Sequence, residues 1–265
     1  MITQLNGINY FYQVTGDGEP VLALHGFTGD HTTWDRSCLK KKFRIIAPDL
    51  IGHGKTDSPD TVARYEMKQA AKDLAALLDH LKIQKVNVLG YSMGGRLALS
   101  FAMYYPERVK KLILESSSPG LKTEAERNKR REQDRQLAEK ILSNGIHEFV
   151  NYWEKLPLFS TQEKLPEEIR SSIRRQRLKN SPKGLANSLK GMGTGKQPSW
   201  WNRLHELNIP VLIICGELDQ KFCRIAGEMA ERLPDCKTVI IPGCGHTVHV
   251  EDPAAFDQAV EQFLL

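Results

Sequence analysis

The chain has 265 residues, 40% of them hydrophobic, and a formal net charge of +5, so it is long enough for one large domain with a sizeable core. No apolar run approaches the ~20 residues that span a bilayer, and we expect no stable membrane association. The first residues lack the basic and apolar regions of a secretory signal, and the five cysteines form no C-x-x-C pair. These features predict a cytoplasmic protein with reduced thiols.

Short apolar runs alternate with helical patterns along the chain, as in a parallel sheet that is covered by helices. A helix is predicted over 67–83, because its apolar residues recur on one face, and another follows Gly94. A closing helix is predicted over 253–265, with Asp252 as its N-cap and a proline at its first position. The predicted strands cover residues 8–14, 21–24, 43–47, 86–89, 109–114, 211–215 and 238–241.

Residues 119–200 interrupt this alternation with polar, helix-rich sequence, so we predict a helical lid inserted between two core segments, 1–118 and 201–265. The predicted lid holds 17 Lys and Arg against 10 Asp and Glu, a net charge of +7, whereas the remainder carries −2. A solvated helical face is the ordinary explanation of such charge. A lid that closes over an anionic substrate is the alternative that we favour. Nucleic acid is not expected as a partner, because no binding motif accompanies the charge.

The segment Gly90-Tyr91-Ser92-Met93-Gly94 lies between an apolar, β-branched run and a helical pattern. Strand, sharp turn and helix form the context in which G-x-S-x-G acts as a nucleophile elbow. Glycines leave room in a turn so tight that the serine backbone is strained, and the helix N-terminus that follows favours an oxyanion. A plain Gly/Ser turn between two elements is the alternative. The flanking elements favour a catalytic Ser92.

An acid and a histidine follow the serine in the chain order that such an elbow requires. Asp219 ends the turn after one predicted strand, and His246 follows the next strand. An imidazole takes the serine proton, while a carboxylate fixes the imidazole tautomer and stabilises its charged form. Glu217 is the alternative acid and His249 the alternative base. Agreement in residue type and order predicts a catalytic triad of Ser92, Asp219 and His246.

The loop after the predicted strand 21–24 reads His25-Gly26-Phe27, an H-G-[apolar] pattern. In folds with a nucleophile elbow, a backbone N–H of this loop joins the N–H of the residue after the nucleophile to form an oxyanion hole. We therefore assign the two donors to Phe27 and Met93. His25 itself is expected to hold the loop together.

Arg96 lies one turn beyond Ser92, where many hydrolases carry an apolar or small residue. A guanidinium matches a carboxylate with two parallel hydrogen bonds, so an arginine this close to the serine indicates an acidic substrate. The pair His246-x-x-His249 has no carboxylate or cysteine companion at metal-ligand spacing, so no metal is predicted. No glycine-rich nucleotide loop follows a strand, so no bound nucleotide is predicted.

Several further motifs carry a resemblance that covers essentially the whole chain. The elbow, the His25-Gly26-Phe27 loop and Asp49-x-x-Gly52-x-Gly54 are typical of α/β hydrolases. The motifs of the predicted lid are more specific, and the chain resembles the 2-succinyl-6-hydroxy-2,4-cyclohexadiene-1-carboxylate synthases of menaquinone biosynthesis. The matching segments are Gly90 to Arg96, Ser117-Ser118-Pro119-Gly120-Leu121, Phe149-x-x-x-Trp153-x-x-x-Pro157-Leu158-Phe159, Gln176-Arg177-Leu178, Gly193-Thr194-Gly195-x-Gln197-Pro198 and Gly245-His246-x-x-His249.

The resemblance implies an α/β-hydrolase fold, a mostly parallel sheet flanked by helices with a helical lid inserted. It also implies a lyase that needs no cofactor and eliminates pyruvate from a cyclohexene. That substrate carries a ring carboxylate, a succinyl group and an enolpyruvyl ether. Ser92, deprotonated by His246, would then remove the proton beside the succinyl ketone, and the Phe27 and Met93 amides would stabilise the enolate.

Three arginines would hold substrate carboxylates and two aromatic residues would line the pocket. The arginines are Arg96, Arg130 and Arg174, and the aromatic residues are Tyr91 and Trp153. Because the alignment through the arginine-rich helix is loose, Arg127 and Arg131 are alternatives to Arg130.

Two other functions use the same residues. A serine hydrolase of an ester or carbon–carbon bond in an acidic metabolite would employ the triad covalently. A non-catalytic ligand-binding protein on this scaffold is the second alternative, and the complete triad argues against it. The sequence leaves the oligomeric state open, and a monomer is compatible with it.

Overall fold

An eight-stranded sheet forms the centre of the computed structural model, which describes residues 1–265. The strands are β1 (Ile2–Leu5), β2 (Ile8–Thr15), β3 (Glu19–Leu24), β4 (Phe43–Pro48), β5 (Val86–Tyr91), β6 (Val109–Glu115), β7 (Val211–Gly216) and β8 (Cys236–Ile241). They lie in the order β1-β2-β4-β3-β5-β6-β7-β8. The β1–β2 and β2–β4 pairs are antiparallel, and all other neighbours are parallel. The mostly parallel sheet expected from the alternating pattern is confirmed.

Eight α-helices accompany the sheet. They are α1 (Met67–His80), α2 (Met93–Tyr104), α3 (Glu124–Trp153), α4 (Glu167–Leu178), α5 (Pro182–Met192), α6 (Gln220–Ala230), α7 (Val248–Glu251) and α8 (Pro253–Leu264). None of them combines the length and apolar character that a membrane span needs.

Both faces of the sheet are covered, which explains why its inner strands are apolar throughout. Leu22 of β3 joins a core cluster with residues of α1, α2 and α6, whereas its neighbour Val21 joins a second cluster with residues of α8. All six residues of β5 and of β7 are buried. Cys215 of β7 is 1% exposed, and all five cysteines are free thiols.

Three details differ from the sequence-based expectation. Strand β1 was not predicted, because three of its four residues are not fully buried and its apolar signal is correspondingly weak. Helix α1 ends at His80 rather than at residue 83, since Lys82 adopts a left-handed backbone with φ of 56°. Helix α6 was also missed; it begins directly after Asp219, whose side chain accepts a hydrogen bond from the Phe222 N–H.

Residues 119–200, the predicted lid, contain α3, α4 and α5. Helix α3 begins with a capping box in which Thr123 and Glu126 satisfy each other's backbone N–H groups. Its regular backbone breaks at Gly145, with φ of 79° and ψ of 175°. A separate hydrophobic cluster, which includes Ile141 and Leu185, packs α3 against α5. Helices α3 and α5 therefore share apolar contacts that do not involve the sheet.

Candidate active site

Ser92 stands at the sharp turn between β5 and α2, with φ of 51° and ψ of −107°. A non-glycine residue in this region is strained, and such strain concentrates at functional sites. The flanking glycines make the turn possible. A Cβ at Gly90 would lie 2.4 Å from the Gly94 carbonyl oxygen, and one at Gly94 would lie 2.2 Å from the Leu24 carbonyl oxygen. The nucleophile elbow predicted from the sequence is therefore present as a backbone structure.

The structure brings Ser92, Asp219 and His246 into one hydrogen-bonded row. His246 Nε2 lies 3.1 Å from Ser92 Oγ, and His246 Nδ1 lies 2.6 Å from Asp219 Oδ2. The His246 side chain is 1% exposed and that of Asp219 is 7% exposed, so solvent competes little for these bonds. With Nδ1 donating to the carboxylate, Nε2 is the acceptor for the serine proton.

The two alternative triad residues have other partners. Glu217 is exposed, and its carboxylate accepts a hydrogen bond from the Gly243 N–H. His249 Nδ1 lies 2.9 and 2.8 Å from the two oxygens of the buried Glu115 carboxylate. The His249 ring packs against Tyr91 with the ring centroids 4.6 Å apart. Neither Glu217 nor His249 therefore occupies a position in the row.

The Phe27 and Met93 amides, the two predicted oxyanion donors, form no hydrogen bond among those of the turns and loops. Both residues line the same cavity as Ser92. Phe27 follows the buried His25, whose Nε2 accepts from the Leu50 N–H and whose Nδ1 donates to the Gly26 carbonyl. The expectation that His25 holds this loop together is confirmed. Free amides in a fixed loop suit a developing oxyanion.

A cavity of about 210 Å³ opens over Ser92 and His246. Phe27, Tyr91 and Trp153 contribute aromatic surface to it, as expected for the last two. Three cationic side chains also line it: Arg96, Arg130 and Lys221. A serine–histidine pair thus faces a small space with concentrated positive charge.

Comparisons with known proteins identify the family. A family model described as alpha/beta hydrolase fold matches residues 19–253. The Bacillus subtilis protein named putative 2-succinyl-6-hydroxy-2,4-cyclohexadiene-1-carboxylate synthase is 51% identical over 266 residues, which cover 99% of this chain and 97% of that protein. The chain belongs to this synthase branch of the α/β-hydrolase family.

Two further synthase matches agree. A Photorhabdus laumondii protein named 2-succinyl-6-hydroxy-2,4-cyclohexadiene-1-carboxylate synthase is 34% identical, over 91% of this chain and 84% of its own length. The solved structure of MenH from S. aureus superposes with a TM-score of 0.91 at 40% identity, covering 96% of this chain and 97% of that chain. The resemblance inferred from the elbow and lid motifs is confirmed.

Arg96 is partly buried at the wall of the catalytic cavity in this synthase-family chain. It forms no ion pair, and burial together with the nearby charge of Arg130 lowers its pKa to about 10. Burying a charge without an opposite partner is costly, so proteins that retain one generally use it. Arg96 is therefore placed to meet an anion that enters the cavity.

The arginine-rich segment of α3 contributes one side chain to the cavity. Arg130 lines it, with Nε donating to Asp134 over 2.8 Å. Arg127 and Arg131 instead pair with the exposed carboxylate of Glu124. Arg130, rather than its two alternatives, thus reaches the site, while the others form the solvated face that such sequences usually make.

Arg174 is not brought to the cavity, contrary to expectation. Its guanidinium pairs with Glu154 and donates to Asn151 over 2.7 Å, on a face of α4 that lines a separate surface cleft. Arg177, three residues later on the same helix, turns inward and is 6% exposed. Arg174 and Arg177 are three residues apart and therefore neighbours on α4, so the sequence motif did not distinguish the arginine that pairs at the surface from the buried one.

Arg177 lines a second cavity of about 90 Å³ that shares Phe27, Tyr91 and Phe159 with the first. Its guanidinium lies 4.9 Å from the Phe159 ring centroid and donates to Gln162 over 3.2 Å, with no carboxylate partner. Burial lowers its pKa. A further unneutralised cation therefore stands just behind the wall of the catalytic cavity.

Lys221 was missed by the sequence analysis. It is the second residue of α6 and lines the cavity without an ion pair, and burial together with the charge of Arg130 lowers its pKa. The available signal was its position two residues after Asp219. A helix that begins directly after a parallel strand has its first turn at the carboxyl edge of the sheet, where Asp219 also lies.

One cluster outside the cavity has metal-ligand residue types. Ligand atoms of Asp30, His31 and Asp49 lie within 4.8 Å of one another. These residues already have partners within the protein, because Asp49 accepts from His31 Nδ1 and from the Lys55 N–H, and Asp30 accepts from Gln176. This cluster ties the loop after β3 to the loop after β4.

Proposed function

We propose that this protein eliminates pyruvate from 2-succinyl-5-enolpyruvyl-6-hydroxy-3-cyclohexene-1-carboxylate, giving 2-succinyl-6-hydroxy-2,4-cyclohexadiene-1-carboxylate for menaquinone biosynthesis. One observation carries the proposal: a complete serine–histidine–aspartate row opens into a cavity lined by three cations, of which Arg96 and Lys221 have no carboxylate partner in the protein. The substrate carries three carboxylates, equal in number and opposite in charge to Arg96, Arg130 and Lys221. The names of the synthase relatives support the same reaction.

In the first step, His246 Nε2 accepts the Ser92 hydroxyl proton, and Ser92 Oγ removes the proton on the ring carbon that bears the succinyl ketone. The electron pair of that C–H bond becomes the enolate. Asp219 holds the imidazole tautomer and stabilises the imidazolium that forms. The buried hydrogen bonds of the row keep the base oriented before the substrate enters.

In the second step, the enolate re-forms its carbonyl, the ring double bond shifts, and the C–O bond to the enolpyruvyl group breaks. The departing enolpyruvate becomes pyruvate after it takes up a proton, for which the His246 imidazolium is the nearest donor of the triad. The Phe27 and Met93 amides stabilise the enolate oxygen between the two steps. No acyl-enzyme and no hydrolytic water enter this sequence.

Aromatic groups orient the ring within the cavity. Trp153 lines the wall, and its buried Nε1–H has no partner in the protein, so a substrate oxygen is its natural acceptor. Tyr91 separates the two cavities, and Arg177 lies on the far side of that wall. The anionic substrate is thus surrounded by cations, in a site that we place in the cytoplasm and that uses no cofactor.

The decisive experiment mixes the purified protein with the enolpyruvyl substrate and follows pyruvate release together with the mass of the ring product. Elimination gives a ring product equal to the substrate minus pyruvate. A hydrolase acting on the carbon–carbon bond to the succinyl carbonyl would instead release succinate, and its succinyl-Ser92 intermediate would be trapped on rapid quenching. Either of those results would replace the lyase by the hydrolase alternative, and no turnover with intact binding would favour the ligand-binding alternative.

A further inference from the structure

Gln197 occupies a buried position behind Arg96, in the loop that follows α5. It is 1% exposed. Arg96 Nη1 donates to Gln197 Oε1 over 3.2 Å, and Gln197 Nε2 donates to the Ser118 carbonyl over 3.1 Å. A carbonyl only accepts and a guanidinium only donates, so these two partners fix which end of the amide faces Arg96.

Both acceptors that hold the Arg96 guanidinium are neutral. The second is the Met192 carbonyl, 2.8 Å from Nη1. From α3, the charges of Arg130 and Asp134 act on Arg96 through space, but Asp134 is hydrogen-bonded to Arg130. The full positive charge of Arg96 is therefore oriented by hydrogen bonds without being cancelled by them.

The loop that carries Gln197 is packed tightly against α3. A Cβ at Gly193 would lie 2.5 Å from Asp134 Oδ2, and one at Gly195 would lie 2.6 Å from the Arg131 backbone nitrogen. Arg131 Nη1 also donates to the Gly195 carbonyl over 3.1 Å. These close approaches fix the position of Gln197 before any ligand enters the cavity.

We propose that Gln197 is a positioning residue that orients Arg96 through a neutral amide and so reserves its charge for a substrate carboxylate. This inference rests on the proposed function for the identity of that carboxylate. An acid at the same position would have the same shape, but it would pair with Arg96 and compete with the substrate. The glutamine amide therefore contributes to specificity without touching the substrate.

The test compares Gln197→Glu with Gln197→Met, which removes the acceptor without adding charge. At pH 8 we expect Gln197→Glu to raise KM by about tenfold or more, with a smaller change in kcat, since it weakens a charged hydrogen bond to the substrate. Gln197→Met should raise KM less. Gln258→Glu, an exposed position on α8, is the control for net charge and should leave KM unchanged.

Thermal unfolding separates positioning from a structural role. Both variants lose the hydrogen bond to the Ser118 carbonyl, and only Gln197→Glu gains an ion pair with Arg96, so its unfolding midpoint should stay closer to that of the wild type. A KM within about twofold of wild type in Gln197→Glu, or an equal rise in both variants, would overturn the inference.

Succinate supplies a readout that does not depend on turnover. We expect isothermal titration to show weaker succinate binding to Gln197→Glu than to the wild type, with Gln197→Met between them. If the wild type releases no pyruvate, the proposed function fails while this comparison still tests Gln197. Equal succinate affinity in all three proteins, or no succinate binding to the wild type, would overturn the inference itself.

Discussion

Asp219 and His246 are joined by a 2.6 Å hydrogen bond between two buried side chains that stand 27 positions apart in the chain. The bond forms because the loops after β7 and β8 meet at the carboxyl edge of neighbouring parallel strands. It fixes the tautomer of His246, so the imidazole faces Ser92 with an acceptor. Substitutions at Asp219, His246 and Ser92 therefore test whether this hydrogen-bonded row carries the reaction.

Replacing any member of the triad should nearly abolish pyruvate release. We expect Ser92→Ala and His246→Ala each to lower kcat by several orders of magnitude, and the double variant to be little worse than either, because the two residues act as one unit. Asp219→Asn should also be severe, since an amide supports the wrong tautomer. Steady-state pyruvate assays measure these losses, and near-normal turnover in Asp219→Asn with a dead Glu217→Gln would move the acid to Glu217.

A matched pair on α4 tests which arginine serves the site. Arg177→Gln should raise KM by about tenfold or more, because its buried guanidinium lacks a carboxylate partner. Arg174→Gln should change KM little, since that guanidinium pairs with Glu154 at the surface. The reverse ranking of the two KM values would contradict the placement of these side chains.

Arg96 should not tolerate lysine. We expect Arg96→Ala to cost about 1.5–3 kcal/mol in kcat/KM, the usual scale for a hydrogen bond to a charged group. Arg96→Lys should recover only part of this loss, because an ammonium cannot make a planar, two-pronged contact with a carboxylate. Full recovery in Arg96→Lys would show that charge alone matters at this position.

Deprotonation of Lys221 should weaken substrate binding at high pH. Partial desolvation and the nearby charge of Arg130 lower its pKa below the ordinary 10.5 of lysine, so it loses its positive charge at a lower pH than a free lysine. KM should therefore rise as the pH increases toward that pKa. Lys221→Arg should shift the rise to higher pH, and Lys221→Met should raise KM at all pH values. An unchanged pH profile in Lys221→Arg would exclude Lys221 as the source.

Salt should weaken substrate binding more than it changes turnover. The segment 119–200 carries a net charge of +7 beside a remainder of −2, and ions screen its attraction for an anionic substrate. Raising the salt concentration to about 0.5 M should therefore increase KM while kcat changes less. A KM that does not respond to ionic strength would count against electrostatic steering.

The sequence by itself determined the fold class and the triad. Apolar runs alternating with helical patterns specify a parallel sheet, since only a sheet covered on both faces needs strands that are apolar throughout. The elbow pattern identifies Ser92, because the turn around it leaves no room for a side chain at Gly90 or Gly94. The order of residues along the chain was then enough to identify Asp219 and His246, because the carboxyl ends of parallel strands lie at the same edge of the sheet.

Only the tertiary structure decided which cations serve the cavity. Arg174 and Arg177 have the same residue type and lie one turn apart, so no local pattern tells which of them turns inward. Lys221 and Gln197 reach the site from elements far apart in the chain, and their positions depend on how α6 and the loop after α5 pack. Whether a charged side chain is buried, and whether it has an opposite partner, depends on neighbours that are distant in the sequence. Both properties are therefore set by the packing of the whole molecule.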